Sequence, residues 1–167
     1  MKSLFAFVLA LVSVAAVAQS SSPSNQTSFS LSAQAMSLSA KTGAIPATDI
    51  GGTFKVTSNL SLRSDNLIAA NTTGYFGGMQ YFLPSAKFLA KTNFDPAAFQ
   101  FYVTASGGEV RTTGFQHPGF LAGGGINYDP TGSGHFTVNL IEVRAARLPY
   151  VSAGVVPLVS AGIKLGF

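Results

Sequence analysis

The chain has 167 residues, 10 Lys and Arg against 6 Asp and Glu, no cysteine, and 10% charged residues, where soluble domains carry about 25%. Its cations are scattered rather than clustered, which argues against nucleic acid as a partner, and without cysteine there is no disulfide framework. So low a charge density points instead to a surface that meets lipid over part of its area.

Residues 1–18 read as a secretory signal peptide. Lys2 gives a positive start, Leu4 to Ala16 an apolar run, and Ala16-Val17-Ala18 a small-x-small cleavage site before Gln19. The run is too short and Ala-rich for a spanning helix, which needs about 20 apolar residues. No cysteine follows it, so no lipoprotein anchor is expected. Residues 19–27 form a polar, flexible leader, and residues 28–167 a single β domain.

Eight strands are expected, near 29–40, 48–57, 59–69, 74–83, 98–106, 119–128, 135–146 and 155–167. Each alternates apolar with small or polar residues between Gly, Pro, Asn, Asp and Ser. "TFKVTSNLSLRSD" puts Phe54, Val56, Leu60 and Leu62 on one face and Lys55, Ser61 and Arg63 on the other, with a turn at Ser58-Asn59. "AFQFYVTAS" sets Phe99, Phe101, Val103 and Ala105 against Gln100, Tyr102 and Thr104. In the last strand, Val155, Pro157, Val159, Ala161, Ile163, Leu165 and Phe167 oppose Val156, Leu158, Ser160, Gly162, Lys164 and Gly166. Phase breaks at Ala35-Met36 and Leu140-Ile141 each predict a β-bulge. Connections at 41–47, 66–73, 107–118 and 147–154 fall at one end. The longest connection, 84–97, falls at the other, with room for a short helix.

Such a sheet closes with its apolar face inward, as a soluble cup, or outward, in lipid. Ser160, Gly162 and Gly166 opposite the apolar face suit a narrow interior better than a water-facing surface. Phe29, Tyr81, Phe82, Phe99, Tyr128, Phe136 and Phe167 gather near one end, and Tyr75, Phe76, Phe120 and Tyr150 near the other, as in two aromatic girdles. The expected fold is therefore all-β: an eight-stranded antiparallel up-and-down transmembrane β-barrel. Eight strands leave an interior that side chains fill, so a plugged lumen is expected rather than a channel. Its polar cluster is Lys55, Arg63, Glu142, Arg144 and Lys164, with Thr53, Gln100, Tyr102, Thr104, Gly123, Gly125 and Asn127 around it. Glu142 reads as the only strand-centre acid, paired with Arg63 and Arg144, because a lone buried charge is expensive.

"SAGIKLGF" places Ser160, Gly162, Leu165 and Phe167 at the spacing polar-x-Gly-x-x-apolar-x-aromatic. It resembles the C-terminal β-signal of bacterial outer-membrane barrels. That resemblance implies recognition by the barrel-assembly machinery through strand pairing, with Phe167 docked in an apolar pocket. More broadly, the chain resembles the small eight-stranded outer-membrane barrels of the OmpA/OmpX type. The likeness implies an outer-membrane location, outer-membrane lipid as a partner, a structural or surface-interaction role, no enzymatic activity and no cofactor. The connections are short and no peptidoglycan-binding segment is present, so functions resting on either are not implied.

Other readings concern particular residues. Glu109, Arg111, Phe115 and His117 in "GGEVRTTGFQHPG" are the candidates for contact with an external partner, whose nature the sequence leaves open. His135, Thr137 and Glu142 resemble the His-x-Ser pair and acid of the lipid A 3-O-deacylases, which would make the chain a lipid-modifying enzyme. But Thr replaces Ser, and His135 falls at the end away from the outer leaflet. Two separated histidines make no metal site. "GGGINYDPTGSG" lacks the strand-to-helix context and lysine of a phosphate loop. The remaining rival is a soluble, secreted, lipocalin-like barrel binding a small apolar ligand. It requires Phe99, Phe101, Val103, Ile163 and Leu165 to point inward.

Overall fold

The computed structural model describes residues 29–40, 43–83, 98–148 and 154–167. The expected signal peptide and leader, the 84–97 connection and Tyr150 lie outside the described residues. Eight strands run in order: β1 (Phe29–Ala40), β2 (Gly43–Lys55), β3 (Leu60–Ala69), β4 (Thr72–Phe82), β5 (Phe99–Thr112), β6 (Phe115–Tyr128), β7 (Phe136–Arg147) and β8 (Val155–Gly166). Each pairs antiparallel with its sequence neighbours, and β8 returns to β1 to close the barrel. Phe29 and Phe167 seal that seam by exchanging backbone hydrogen bonds, with their rings 6.5 Å apart. Among the described residues no strand is left as an edge, which is the condition for crossing hydrocarbon without orphaned backbone groups.

A 12-residue strand at about 3.3 Å per residue is about 40 Å long, and a tilt near 45° makes it span about 28 Å, the height of an apolar membrane band. The outward positions fit that setting. Leu31, Ile50, Leu62, Ile68, Met79, Val103, Val143, Val159, Ile163 and Leu165 are all exposed, with Met79 at 56% and Ile163 at 47%. Inward positions carry Gln34, Asp49, Arg63, Asp65, Gln80, Glu142 and Arg144, each at most 7% exposed. The distribution is that of a soluble protein turned inside out. The lipocalin-like rival fails on this point, since Val103, Ile163 and Leu165 face outward.

The strand expectations hold in number and order, but three elements begin early or run long. β2 starts at Gly43, because Pro46 is accommodated within the strand opposite Ser37 instead of ending it. β5 and β6 continue through the expected 107–118 connection to a two-residue turn at Thr113-Gly114, where Gly114 has φ 85°. Pro118 lies in the part of β6 that pairs with β5, before pairing with β7 starts at Phe120. That edge-like position tolerates a missing N–H.

The Leu140-Ile141 bulge is present. Ile126 faces Ile141 and Asn127 faces Asn139, so one residue is extra, and Leu140 and Ile141 both point outward. No bulge occurs at Ala35-Met36, where β1 pairs without interruption on both sides. The phase break there is only apparent, because Met36 and Leu38 are apolar residues that point inward.

That exception belongs to a larger feature. At the end of the barrel that carries the turns at 70–71 and 113–114, the lumen is filled by Met36, Leu38, Ala47, Leu67, Phe76, Val110, Leu121, Ala146, Val156 and Leu158. Every strand contributes to this plug. Phe76, expected in an aromatic girdle, is 4% exposed and fills the plug. Phe82 likewise turns into the opposite mouth, with its ring 6.0 Å from that of Tyr102. The girdle at the chain-terminus end is otherwise as expected, with Phe99 and Tyr128 paired at 5.0 Å.

Candidate functional site

Below the plug, toward the chain termini, lies a layer of ions. β3 directs Arg63 and Asp65 inward, β2 directs Asp49, and β7 directs Glu142 and Arg144. The bulge at Leu140-Ile141 keeps these two in phase with Asn139. Arg63 donates to both Glu142 oxygens, at 2.6 and 3.0 Å, and through Nε to Asp65 at 2.7 Å. Arg144 donates to Asp49 at 3.1 Å and lies 3.2 Å from Asp65 and 3.7 Å from Glu142. Two forked guanidiniums thus bridge three carboxylates, with Ser106 donating to Asp65 at 3.3 Å. Such two-pronged pairing suits arginine and could not be reproduced by lysine's point charge.

Nearer the termini comes a ring of polar residues, one or more from each strand. β1 to β4 supply Gln34, Thr53, Arg63 and Gln80, and β5 to β8 supply Tyr102, Asn127, Asn139 and Lys164. They enclose a small cavity with about 20 Å³ of room for a water-sized guest. Asn139 donates to the Tyr102 hydroxyl and, at 3.3 Å, to Asn127 Oδ1. Lys164 is half-buried, 5.7 Å from the Phe82 ring centroid.

The expected lumen cluster is therefore divided. Arg63, Glu142 and Arg144 form one network, Lys164 belongs to the ring, and Lys55 is half-buried at the end of β2. The expectation that Glu142 is the only strand-centre acid is wrong: Asp49 and Asp65 share its layer, at 2% and 1% exposure. Asp49 lay inside the expected second strand, 48–57, but the late start put it at the strand's end and not at its centre. Asp65 was legible, since it follows Arg63 by two and so shares its face. Gln100, expected inside, is exposed at the mouth.

At the plugged end, the outward face of β4, β5 and β6 holds a second cluster. Glu109 pairs with Arg111 and accepts a hydrogen bond from Gln116, while the Arg111 guanidinium lies 5.5 Å from the Tyr75 ring centroid. Tyr75, Glu109, Gln116, His117 and Pro118 line an open groove of about 480 Å³. Three of the four expected contact residues thus come together, while Phe115 sits exposed beside the turn. They lie on a strand hairpin, not on the irregular loop expected.

The acyl-transfer trio is not assembled. His135 Nδ1 lies 3.2 Å from the Gly166 carbonyl, Glu142 is engaged by both arginines, and no hydrogen bond joins these residues to Thr137 among the described residues. The turn before His135 is built on Asp129, whose carboxylate accepts from the backbone N–H of Thr131, Gly132 and Gly134 at 2.7–3.0 Å. Of the residues expected to form a β-signal, Leu165 and Phe167 face outward and Ser160 inward, where it donates to Gln34 at 2.8 Å.

An apolar exterior around a charged interior, closed by eight antiparallel strands, defines a small barrel of the transmembrane class. No family model and no curated protein matches the sequence. Among solved structures, the chain is similar to Neisserial surface protein A, with TM-score 0.57, 14% identity, and coverage of 83% of this chain and 96% of that one. It is also similar to a de novo designed transmembrane β-barrel, with TM-score 0.53, 12% identity, and coverage of 85% and 98%. At these identities the likeness is one of fold, and the fold is that of the small eight-stranded outer-membrane barrels.

Proposed function

We propose that this chain is an integral protein of the bacterial outer membrane with a structural or surface-interaction role and a lumen closed to ions. The observation that carries the reading is the inversion of the barrel, with an apolar band outside and a paired ion layer inside. In water that band would be an exposed apolar surface far larger than soluble monomers carry. The plugged end with its short hairpins faces outward, and the chain termini face the periplasm. Export uses residues 1–18, and Ser160, Gly162, Leu165 and Phe167 of β8 present the chain to the assembly machinery. The groove formed by Tyr75, Glu109, Gln116 and His117 is the surface offered to an external partner.

The test is fractionation of cells expressing the chain, with boiled and unboiled membranes compared on an SDS gel. A protein that stays with the outer membrane and changes mobility on boiling supports the reading. A protein found soluble without detergent overturns it.

A further inference from the structure

The ring on the terminus side of the ion layer is built for more than filling space. All eight strands converge on one cavity, and no carboxylate lines it. Each of the three acids of the lumen lies against a guanidinium, at 2.6–3.1 Å for its nearest contact. What the cavity presents is an excess of donors. Among the described residues the Lys164 ammonium has no carboxylate within 4.0 Å and no hydrogen bond, and it lies over the Phe82 ring. Gln80, 3% exposed, likewise has no hydrogen-bond partner for its amide among the described residues.

Asn139, 5% exposed, has an Oδ1 without a partner. A half-turn of its amide together with that of Asn127 would let Oδ1 accept from the Tyr102 hydroxyl and from Asn127 Nδ2, and would release the Asn139 NH₂ group for a guest. Buried polar groups are normally satisfied, and two buried amides short of partners, Gln80 and Asn139, beside the half-buried Lys164 ammonium call for an occupant. A cavity of about 15 Å³ or more holds a water-sized guest, so the room here fits one small monatomic ion.

We propose that this ring is a binding site for a small monovalent anion of halide size, held by the Lys164 ammonium and the Gln80 and Asn139 amides. A cation is excluded by the lining, which offers an ammonium and no carboxylate. The formal charges of the ion layer and Lys164 together sum to zero, so the anion is held by local donors and not by a large net field. Binding is accordingly weak and selective by size. Since the site faces the lumen, the proposal stands whichever end of the barrel faces outward.

The experiment is a titration of the folded mature protein in detergent micelles with chloride and bromide. Binding is read from the side-chain amide resonances of Gln80 and Asn139, with sodium gluconate holding ionic strength constant. Saturable shifts, lost in Lys164→Met and weakened at least fivefold in Gln80→Leu, support the site. Bromide located in the ring by its anomalous scattering would fix its position. Shifts that rise linearly with salt, or that are the same in Lys164→Met, mean that the cavity holds water only and overturn the proposal. Unchanged heat-modifiability shows that each variant is folded, and Gln80→Leu keeps the test open if Lys164→Met is not.

Discussion

Glu142 illustrates how little freedom a buried charge has in this lumen. It is fully buried, is bound by both oxygens to Arg63, and lies 3.7 Å from Arg144. Truncation takes from Arg63 its two-oxygen partner, and breaking a buried pair from one side costs about 3–5 kcal/mol. Glu142→Ala is expected to lower the unfolding free energy by about that amount in urea titrations of the micelle-bound protein. A loss under about 1 kcal/mol would show that water reaches the layer. Ala70 makes the opposite case. It holds φ 34° in the tight β3–β4 turn, in the left-handed region that a side chain disfavours. Ala70→Gly should raise stability by about 0.5–1 kcal/mol in the same assay. Arg63, Glu142 and Arg144 were readable from the sequence because a charge amid the apolar and small residues of a membrane-spanning strand has to point inward. Asp49 was not readable as a strand-centre acid, because Pro46 and Gly43 looked like a connection and left it at the end of the strand.

Among the elements, β7 decides whether the ion layer exists at all. Side chains alternate with period two, so one residue gained or lost reverses every later position. The bulge spends its extra residue on Leu140 and Ile141, which both point to lipid, while Asn139 and Glu142 both point inward. Deleting Leu140 would regularise the ladder and leave all facings intact. Deleting Val143 would turn Arg144 and Ala146 out toward lipid. The first variant is expected to keep the mobility shift on boiling and the second to lose it. A folded Val143 deletion would mean that register is set elsewhere. Two adjacent apolar residues in an alternating strand made this bulge visible in advance. The same logic misled at Ala35-Met36, where the second apolar residue belongs to the interior. Alternation reports which residues share a face. It cannot tell an apolar residue facing lipid from one facing a plug.

At the scale of the whole molecule, two unlike barriers lie in series along the lumen. The plug, with Leu38, Leu158 and Val110 fully buried, excludes water because nothing in it can hydrogen-bond. The ion layer is expected to exclude passing ions because its charges are already paired with one another. Eight strands leave room for side chains and little more, so either layer alone is expected to close the barrel. The closed barrel and its charged interior were legible from alternation and the scarcity of charge. The plug was not, because at that end of β8 both faces are apolar, Val156 and Leu158 within and Val155 and Val159 without. Planar-bilayer recordings of the wild-type protein should show no conductance steps. Leu121→Ala with Leu158→Ala thins the plug and, at about 2–5 kcal/mol for each buried leucine lost, weakens the fold, yet should stay silent because the ion layer remains. Adding Glu142→Ala and Arg144→Ala opens both layers, and only that variant, if it folds, should pass current. Steps in the leucine pair alone would show that the ion layer does not seal the lumen. Steps in the wild-type protein would show that neither layer does, and that the barrel is a channel.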